Sequence, residues 1–332
     1  MASAYLNIFK PRGFEHFRIV GVFLFFLVGS RLFAQSENRM GYFELDQTLQ
    51  TSTGELSGTL TVPILKGTFP VALIIVGSGP TDRNGNNAQM KNNSLQMLAH
   101  ELAAQGIASL RYDKRGIGKS ASAMISEELL RFENYVEDAE DWATQLKTDP
   151  RFNKLIIIGH SEGSLMLGLL ACEQADVFVS LAGPGRPIDV ILKEQLTEQL
   201  SGQKKLLRAA NEGLSKLKEG KLVEDAPVEL FGLFRPSVQP YIMSWMKYDP
   251  AVEISKLNIP IVIIQGTTDL QVKEQDAKLL FEAHPLNSRL VIIEDMNHVL
   301  KIAPEDRLKN IETYSKPDLP LAPELVRTLG TL

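Results

Sequence analysis

The sequence predicts an α/β fold, in which a mostly parallel sheet carries helices on both faces. Between residues 71 and 182, short apolar runs of strand length alternate with longer segments of helical spacing. Residues 259–265 form a near-continuous apolar run, which is typical of a parallel strand buried on both faces. Of the 332 residues, 44% are hydrophobic and 23% charged, so the chain can build one large core.

The predicted elements follow one another in a regular order. Residues 42–49 and 55–62 alternate apolar and polar side chains around a turn that contains Gly54, which predicts an antiparallel hairpin at one edge of the sheet. After this hairpin we expect strands at 71–76, 107–112, 154–159 and 177–182, helices at 91–105, 133–147 and 161–173, and later strands at 259–265 and from 289 onwards.

The alternation of strands and helices breaks after the sixth strand. Residues 186–249 contain no strand-like run, and leucines recur there at helical spacing. The sequence therefore predicts a helical insertion at 186–249 within a core made of 35–185 and 250–332. Met243 and Trp245 lie in an aromatic and Met-rich part of this insertion. They are candidates to line a substrate pocket, together with Gly79 on the loop after the strand at 71–76. Core packing is the alternative for Met243 and Trp245.

The first 34 residues differ in composition from the rest of the chain. Three basic residues precede the ten apolar residues 19–28, and the small Ala34 closes the segment. This pattern predicts a signal peptide over 1–34 and a secreted or periplasmic mature protein. An uncleaved anchor is the alternative, but the apolar run is short for a bilayer, so we expect no stable membrane span.

Charge and cysteine content exclude several classes of partner. The formal net charge is −5, and removal of the leader, which holds four basic residues, would make it more negative. An acidic surface argues against nucleic acid or an anionic membrane as a partner. Cys172 is the only cysteine, so no intramolecular disulfide can form. The sequence shows no Cys/His spacing typical of metal ligands, and we expect neither a metal nor another cofactor.

Ser161 is the candidate nucleophile. It is the central residue of Gly159-His-Ser-Glu-Gly163, which directly follows an apolar strand and precedes an apolar helical segment. A sharp turn between strand and helix exposes such a serine hydroxyl above the end of the sheet. The two glycines are needed because side chains there would collide with the strand and the helix.

His298 is the candidate general base, because a serine hydroxyl is a poor nucleophile without one. It lies just past the last predicted strand, at the sheet edge that would carry the serine. The other four histidines are less well placed. They lie in the leader (His16), in a helical pattern (His100), inside the serine turn with the ring expected to point away (His160), and at a helix end (His284).

Asp269 is the preferred candidate for the acid that orients the histidine. It ends Gly266-Thr-Thr-Asp269, directly after the strand at 259–265. Glu294 and Asp295 are the competitors, but they lie three or four residues before His298, on its own strand end or turn.

Two backbone N–H groups are needed to stabilise the oxyanion of an acyl-transfer reaction. Glu162, the residue after the serine, is expected to supply one of them. The loop after the strand at 71–76 is expected to supply the other, with Ser78 preferred and Gly79 next. A glycine- and asparagine-rich turn without a catalytic role is the alternative for this loop.

Together these motifs resemble the α/β-hydrolase superfamily, and within it the esterases, lysophospholipase-like enzymes and peptidases of the serine aminopeptidase (S33) group. The matching segments are Gly77-Ser-Gly-Pro-Thr-Asp-Arg-Asn-Gly85, Arg111-Tyr-Asp-Lys-Arg-Gly-Ile-Gly-Lys-Ser120, Gly159-His-Ser-Glu-Gly163, Gly266-Thr-Thr-Asp269 and Asn297-His298. The first departs from the His-Gly pair of many relatives, because Val76 stands in place of the histidine. The resemblance implies a scaffold role for Asp113 and Arg115, and a lid role for the helical insertion.

From these features we expect a secreted serine hydrolase that cleaves a small-molecule carboxylic ester without a cofactor. A peptidase of the same fold is the alternative. It would need carboxylates in or under the insertion to bind a free amino terminus, and the candidates are Glu212, Glu224, Asp225 and Glu229. A non-catalytic binding protein that kept the fold is a further alternative, which a large separation of Ser161 from His298 would favour.

Overall fold

The structure is a computed structural model that describes residues 41–165 and 174–332. Two predictions fall wholly or partly outside these residues: the signal peptide at 1–34 and the end of the helix expected at 161–173. Residues 162–165 are described and helical, so a helix does begin directly after Ser161.

Eight strands form one sheet in the order β1-β2-β4-β3-β5-β6-β7-β8. The strands are β1 (Tyr42–Thr51), β2 (Gly54–Pro63), β3 (Phe69–Ile75), β4 (Ala108–Tyr112), β5 (Phe152–His160), β6 (Val177–Leu181), β7 (Ile261–Gly266) and β8 (Ser288–Ile293). β1 pairs antiparallel with β2, and β2 pairs antiparallel with β4. All pairings from β4 to β8 are parallel. The predicted mostly parallel sheet with an antiparallel edge is therefore confirmed.

Ten α-helices have complete bounds among the described residues. They are α1 (Ser94–Ala104), α2 (Phe132–Thr148), α3 (Ile188–Gln199), α4 (Lys204–Lys218), α5 (Phe231–Phe234), α6 (Gln239–Trp245), α7 (Pro250–Ile254), α8 (Glu274–Ala283), α9 (Arg307–Glu312) and α10 (Pro323–Leu329). Short 3₁₀ turns occupy Gly118–Ala123, Glu127–Leu129, Val228–Leu230, Pro285–Asn287 and Thr313–Ser315.

The sheet is covered on both faces because its parallel strands are apolar on both sides. One hydrophobic cluster joins α2, including the fully buried Phe132 and Trp142, to the sheet. A second cluster joins the sheet to α1 and α10, through Leu98 and Leu325 among others. Strands β3, β5, β6, β7 and β8 run in one direction, so their carboxyl ends lie at the same edge. Ligand sites in open α/β sheets form at this edge.

The segment between β6 and β7 is helical and comprises α3 to α7. Leu192, Leu214 and Phe234 within it are buried and belong to the same cluster as the core residues of α2. Trp245 stacks on Phe132 of α2, with ring centroids 5.9 Å apart and planes 5° apart. The apolar core thus continues from the sheet into this segment, which is called the insertion below. Its role as a lid stays a prediction.

In the described part of the chain, no helix is both long and apolar enough to cross a membrane.

Candidate active site

Ser161 lies at the turn between β5 and the helix that follows it. Its φ of 57° is in the left-handed region, which a side chain other than glycine adopts at a cost. Its backbone N–H donates to the carbonyl of Leu181 at 3.0 Å, which ties the turn to the end of β6. A Cβ at Gly163 would lie 2.4 Å from the carbonyl oxygen of Ile75, so this position needs glycine. These contacts give Ser161 the strained conformation expected from the motif.

His298 and Asp269 form a buried hydrogen-bonded pair. The Nδ1 atom of His298 lies 2.8 Å from Oδ2 of Asp269, and their side chains are 6% and 1% exposed. The other oxygen, Oδ1, accepts the backbone N–H groups of Gln271 and Val272 at 2.7 and 3.0 Å. Burial alone would raise the pKa of Asp269, but the charge and hydrogen bond of His298 and these two amides lower it overall. The carboxylate is therefore held ionised beside the imidazole.

The two turns that carry Asp269 and His298 pack closely because Gly266 has no side chain. A Cβ there would lie 1.9 Å from the carbonyl oxygen of Met296. The N–H of Thr268 donates to that same carbonyl at 3.2 Å. These contacts fix the separation of the acid and the imidazole.

Two buried asparagines brace the same turns. Asn310 donates to the carbonyl of Thr268 at 2.9 Å, and Asn297 donates to the side chains of Asn310 and Thr313. Asn310 escaped the sequence analysis because it lies in α9, far along the chain from the motifs. Its full burial is the signal that identifies it.

The competing carboxylates, Glu294 and Asp295, are both exposed. Asp295 has a φ of 56°, and its backbone N–H donates to the hydroxyl of Thr267 at 2.9 Å. Of the three candidate acids, only Asp269 is hydrogen-bonded to the imidazole of His298.

Ser161 and His298 line one small cavity of about 50 Å³, together with Gly77 and Ser78. A larger cavity of about 290 Å³ adjoins it and shares Ser161 and Ser78. Its wall includes side chains from the insertion and from the loop after β7, namely Ile188, Ile191, Leu192, Trp245, Leu270 and Val272. The nucleophile and base candidates therefore line one cavity, and the nucleophile candidate also lines the larger cavity beside the insertion.

The two remaining pocket candidates lie elsewhere. Met243 is half-buried and packs against the hydrophobic core, and the lining of these cavities does not include it. Gly79 has a φ of 82° in the turn after Ser78 and is also outside the lining. Neither residue is in the lining of these two cavities, so the pocket role of Met243 and Gly79 stays a prediction.

The loop after β3 approaches Ser161 through Gly77. A Cβ at Gly77 would lie 2.8 Å from the Cβ of Ser161 and 3.3 Å from its hydroxyl oxygen. The next residue, Ser78, lines both cavities. Glu162 lines the larger cavity, and its side chain is 1% exposed. Both residues expected to donate to an oxyanion are thus beside the serine.

Comparisons with known proteins identify chains of similar sequence and fold. Residues 89–218 match the family model described as "Serine aminopeptidase, S33". The chain superposes on the Pyrococcus furiosus esterase PF2001 with a TM-score of 0.54 at 18% identity, covering 82% of this chain and 88% of that one. For Est1E from Butyrivibrio proteoclasticus the TM-score is 0.54 at 15% identity, covering 85% and 96%. At such identities the similarity establishes the fold. The chain has the α/β-hydrolase fold.

A curated relative, Esterase EstD from Thermotoga maritima, is 29% identical over 269 residues. The match covers 79% of this chain and 61% of the relative, so the chain spans about three fifths of that protein's length. The resemblance to the S33-like esterase group that the motifs indicated is confirmed.

His160, the residue before Ser161, contacts the loop that carries His298. Its Nε2 lies 2.8 Å from the backbone carbonyl of His298, and the two imidazole rings are 4.9 Å apart. Burial, followed by the charge of His298, lowers the pKa of His160 to about 4. A neutral ring is therefore present at neutral pH, and its Nε2–H donates to that carbonyl. Sequence reasoning missed this contact because it joins residues 138 positions apart.

Asp113 and Arg115 have the scaffold role that the resemblance implied. Asp113 accepts both the backbone N–H and the guanidinium of Arg83, at 2.8 and 2.7 Å, which anchors the loop after β3. Arg115 forms a two-point hydrogen-bonded pair with the buried Asp138 of α2. Neither contacts Ser161: Asp113 ties the loop after β4 to the loop after β3, and Arg115 ties the loop after β4 to α2.

Across residues 41–165 and 174–332, no group of three or more His, Cys, Asp or Glu side chains is arranged to hold a metal ion.

Proposed function

We propose that this α/β-hydrolase cleaves carboxylic esters through an acyl-enzyme on Ser161. One observation carries the proposal: the strained serine shares a cavity with an imidazole whose Nδ1 is bound to a buried carboxylate. This is the set of groups that a serine nucleophile needs. The esterases among the similar proteins support the same class of substrate.

In the proposed reaction, the Ser161 hydroxyl attacks the ester carbonyl while Nε2 of His298 takes its proton. The tetrahedral intermediate collapses as His298 returns this proton to the departing alcohol, which leaves an acyl group on the serine. Water, deprotonated by the same imidazole, then releases the carboxylic acid. Asp269 stays ionised throughout, fixes the imidazole tautomer and stabilises the charged form.

The developing oxyanion would accept the backbone N–H groups of Ser78 and Glu162. Charge in the transition state concentrates on this oxygen, so donors that are already in place lower the barrier. The contact of Gly77 with the Cβ of Ser161 supports this assignment, since it brings the loop amides beside the reacting carbonyl.

The charges around the cavity favour an ester over a peptide with a free amino terminus. The four carboxylates that could bind such an ammonium group, Glu212, Glu224, Asp225 and Glu229, are all exposed and lie outside the cavity lining. The two carboxylates that do line it are already paired: Glu162 with Lys114 in the interior, and Glu198 with Lys273. Among the residues that the structure describes, the cavity lining therefore offers no unpaired carboxylate to hold a cationic substrate.

The insertion is proposed to act as a lid that shapes the acyl pocket. Its Ile188, Leu192 and Trp245 supply much of the apolar wall of the larger cavity. At about 290 Å³ this cavity is at the low end for small-molecule sites, which favours short or medium acyl groups. Secretion of the enzyme is also part of the proposal, and it depends on the leader at 1–34 alone.

Replacement of the nucleophile tests the reaction. Ser161→Ala should abolish turnover of p-nitrophenyl acetate, and a fluorophosphonate should label the wild-type enzyme at Ser161. Ser164→Ala is the matched control, because the hydroxyl of this nearby serine is hydrogen-bonded to that of Ser180 and lies outside the lining of the two cavities. The control should keep wild-type turnover. More than a few per cent activity in Ser161→Ala would show that the serine is not the nucleophile.

A substrate panel separates the two reaction classes. p-Nitrophenyl esters of rising chain length should be hydrolysed, and aminoacyl p-nitroanilides should not. Faster cleavage of the anilides than of every ester would favour the aminopeptidase alternative instead.

A further inference from the structure

A buried lysine lies beneath the candidate oxyanion hole. Lys114, on the loop after β4, is 2% exposed. Its ammonium group donates to the carbonyl oxygen of Gly77 at 2.7 Å and to a carboxylate oxygen of Glu162 at 3.1 Å. The ring of Tyr135 lies 4.8 Å from the ammonium nitrogen and covers it on another side. Sequence reasoning gave this residue no role, although a lysine is almost never fully buried without partners.

The contact with Gly77 fixes the direction of the next amide. The carbonyl of Gly77 and the N–H of Ser78 belong to one trans peptide group, in which the two bonds point in opposite directions. A carbonyl held toward Lys114 therefore directs the Ser78 N–H away from it, on the side of the cavity that Ser78 lines. Among the residues that the structure describes, no hydrogen bond from this N–H is found, which leaves it free for a substrate oxygen.

The contact with Glu162 fixes the other donor. The backbone N–H of Glu162 is the second expected oxyanion group, and the side chain of the same residue is held at both carboxylate oxygens. Lys114 binds one, and the hydroxyl of Tyr241 donates to the other. Burial, together with the nearby charge of Glu162, raises the pKa of Tyr241 well above its usual value, so this hydroxyl stays a donor. A single ammonium group thus joins the two residues whose amides face the reacting carbonyl.

Tyr241 extends this network into the insertion. It lies on α6, and its ring packs against Phe132 and Tyr135 of α2 at centroid distances of 6.5 and 5.7 Å. The packing of α6 on the core is therefore connected to Glu162, the residue after Ser161, through the hydrogen bond from Tyr241 to the Glu162 carboxylate.

We infer that Lys114 is a positioning residue of the oxyanion hole, which aims the Ser78 and Glu162 amides and connects them to the insertion through Tyr241. The inference rests on the proposed function and deepens it. Lys114 touches no substrate. It acts by holding two backbone donors in the direction that the transition state requires, because a donor contributes only when it is aimed at the developing charge.

The test removes the ammonium group without leaving a buried carboxylate unpaired. In Lys114→Met/Glu162→Gln the buried ion pair is replaced by neutral side chains of similar size. We expect kcat for p-nitrophenyl acetate to fall about 10²-fold, the low end of the loss for an oxyanion-hole donor. KM should change by less than about threefold, because the interaction that is lost is made mainly in the transition state. The inhibition constant of a phenylboronic acid, whose adduct places an oxygen in the same hole, should rise in parallel with the loss in kcat.

A second buried ion pair supplies the matched control. Arg115→Met/Asp138→Asn removes the pair of Arg115 with Asp138, which starts from the same loop but contacts neither Gly77 nor Glu162. The control should lose thermal stability and keep its kcat and boronate inhibition in the folded fraction. If Lys114→Met/Glu162→Gln does not fold, the single variant Lys114→Gln is used in its place, and its kcat and boronate inhibition are judged in the same way.

The outcomes separate the inference from the proposed function. A loss in kcat of tenfold or more, with weaker boronate binding and intact folding, supports the inference. A smaller loss, or an equal loss in the control, overturns it while ester hydrolysis by Ser161 stands. An absence of ester turnover in the wild-type enzyme would instead refute the proposed function and the inference with it.

Discussion

Acid should destabilise this protein through His160. The ring is neutral in the folded protein down to about pH 4, whereas an unfolded histidine protonates near pH 6.5. Between these values the unfolded chain binds a proton that the folded chain does not. The contribution of the neutral ring is therefore fully present above pH 6.5 and is lost as the pH falls toward 4. A shift from 6.5 to about 4 corresponds to about 3 kcal/mol of the free energy of unfolding.

The matched variant is His160→Gln. Its amide Nε2–H can donate to the carbonyl of His298 as the imidazole does, but the side chain does not titrate. Urea unfolding at pH values between 4 and 7.5, followed by the fluorescence of the buried Trp142 and Trp245, gives the free energy of unfolding of both proteins. The wild-type protein should lose about 3 kcal/mol more than the variant between pH 7 and pH 4.

Contributions from other groups cancel in this difference, because both proteins contain them. Parallel pH curves for the two proteins would refute the reasoning, since they would mean that His160 binds protons equally in the folded and unfolded states. His160→Phe adds a functional control, because its side chain does not titrate and cannot donate to the carbonyl of His298. We expect its stability to vary with pH as that of His160→Gln does, and its kcat to be lower.

The remaining predictions concern the acid and the pocket. Asp269→Asn should lower kcat on the order of 10⁴-fold in ester hydrolysis assays, because the amide favours the wrong imidazole tautomer, whereas the exposed Asp295→Asn should change it little. Similar losses in the two variants would contradict the assignment of the acid. Trp245→Ala should alter the preference among ester chain lengths, since each methylene in an apolar pocket is worth about 1–3 kcal/mol of discrimination. Met243→Ala, outside the cavity lining, should keep the wild-type preference. A uniform loss across all chain lengths in Trp245→Ala would place that residue in the structural core.

Local pattern was enough to predict the fold and the candidate residues of the reaction. Apolar runs, which mark strands buried on both faces, identified the six strands β3 to β8, and alternation of apolar and polar residues identified β1 and β2. The glycines around Ser161 predicted a sharp turn because a side chain at Gly163 would meet the carbonyl of Ile75 at 2.4 Å. Strand ends in a parallel sheet meet at one edge, so Asp269 and His298 could be expected near each other. Each of these inferences depends on neighbours in sequence or on one rule of sheet topology.

The tertiary structure alone decided which polar residues support the site. Lys114 and Glu162 look like surface residues in the sequence, and their partners Gly77 and Tyr241 lie 37 and 79 residues away from them. Likewise, only the packed fold places Trp245 in the cavity wall and Met243 outside it, although they are two residues apart on one short helix. The physical reason is that burial and charge pairing depend on distance in space. The free energy of a buried ammonium or carboxylate is set by the partners that folding brings to it, and no local pattern encodes them.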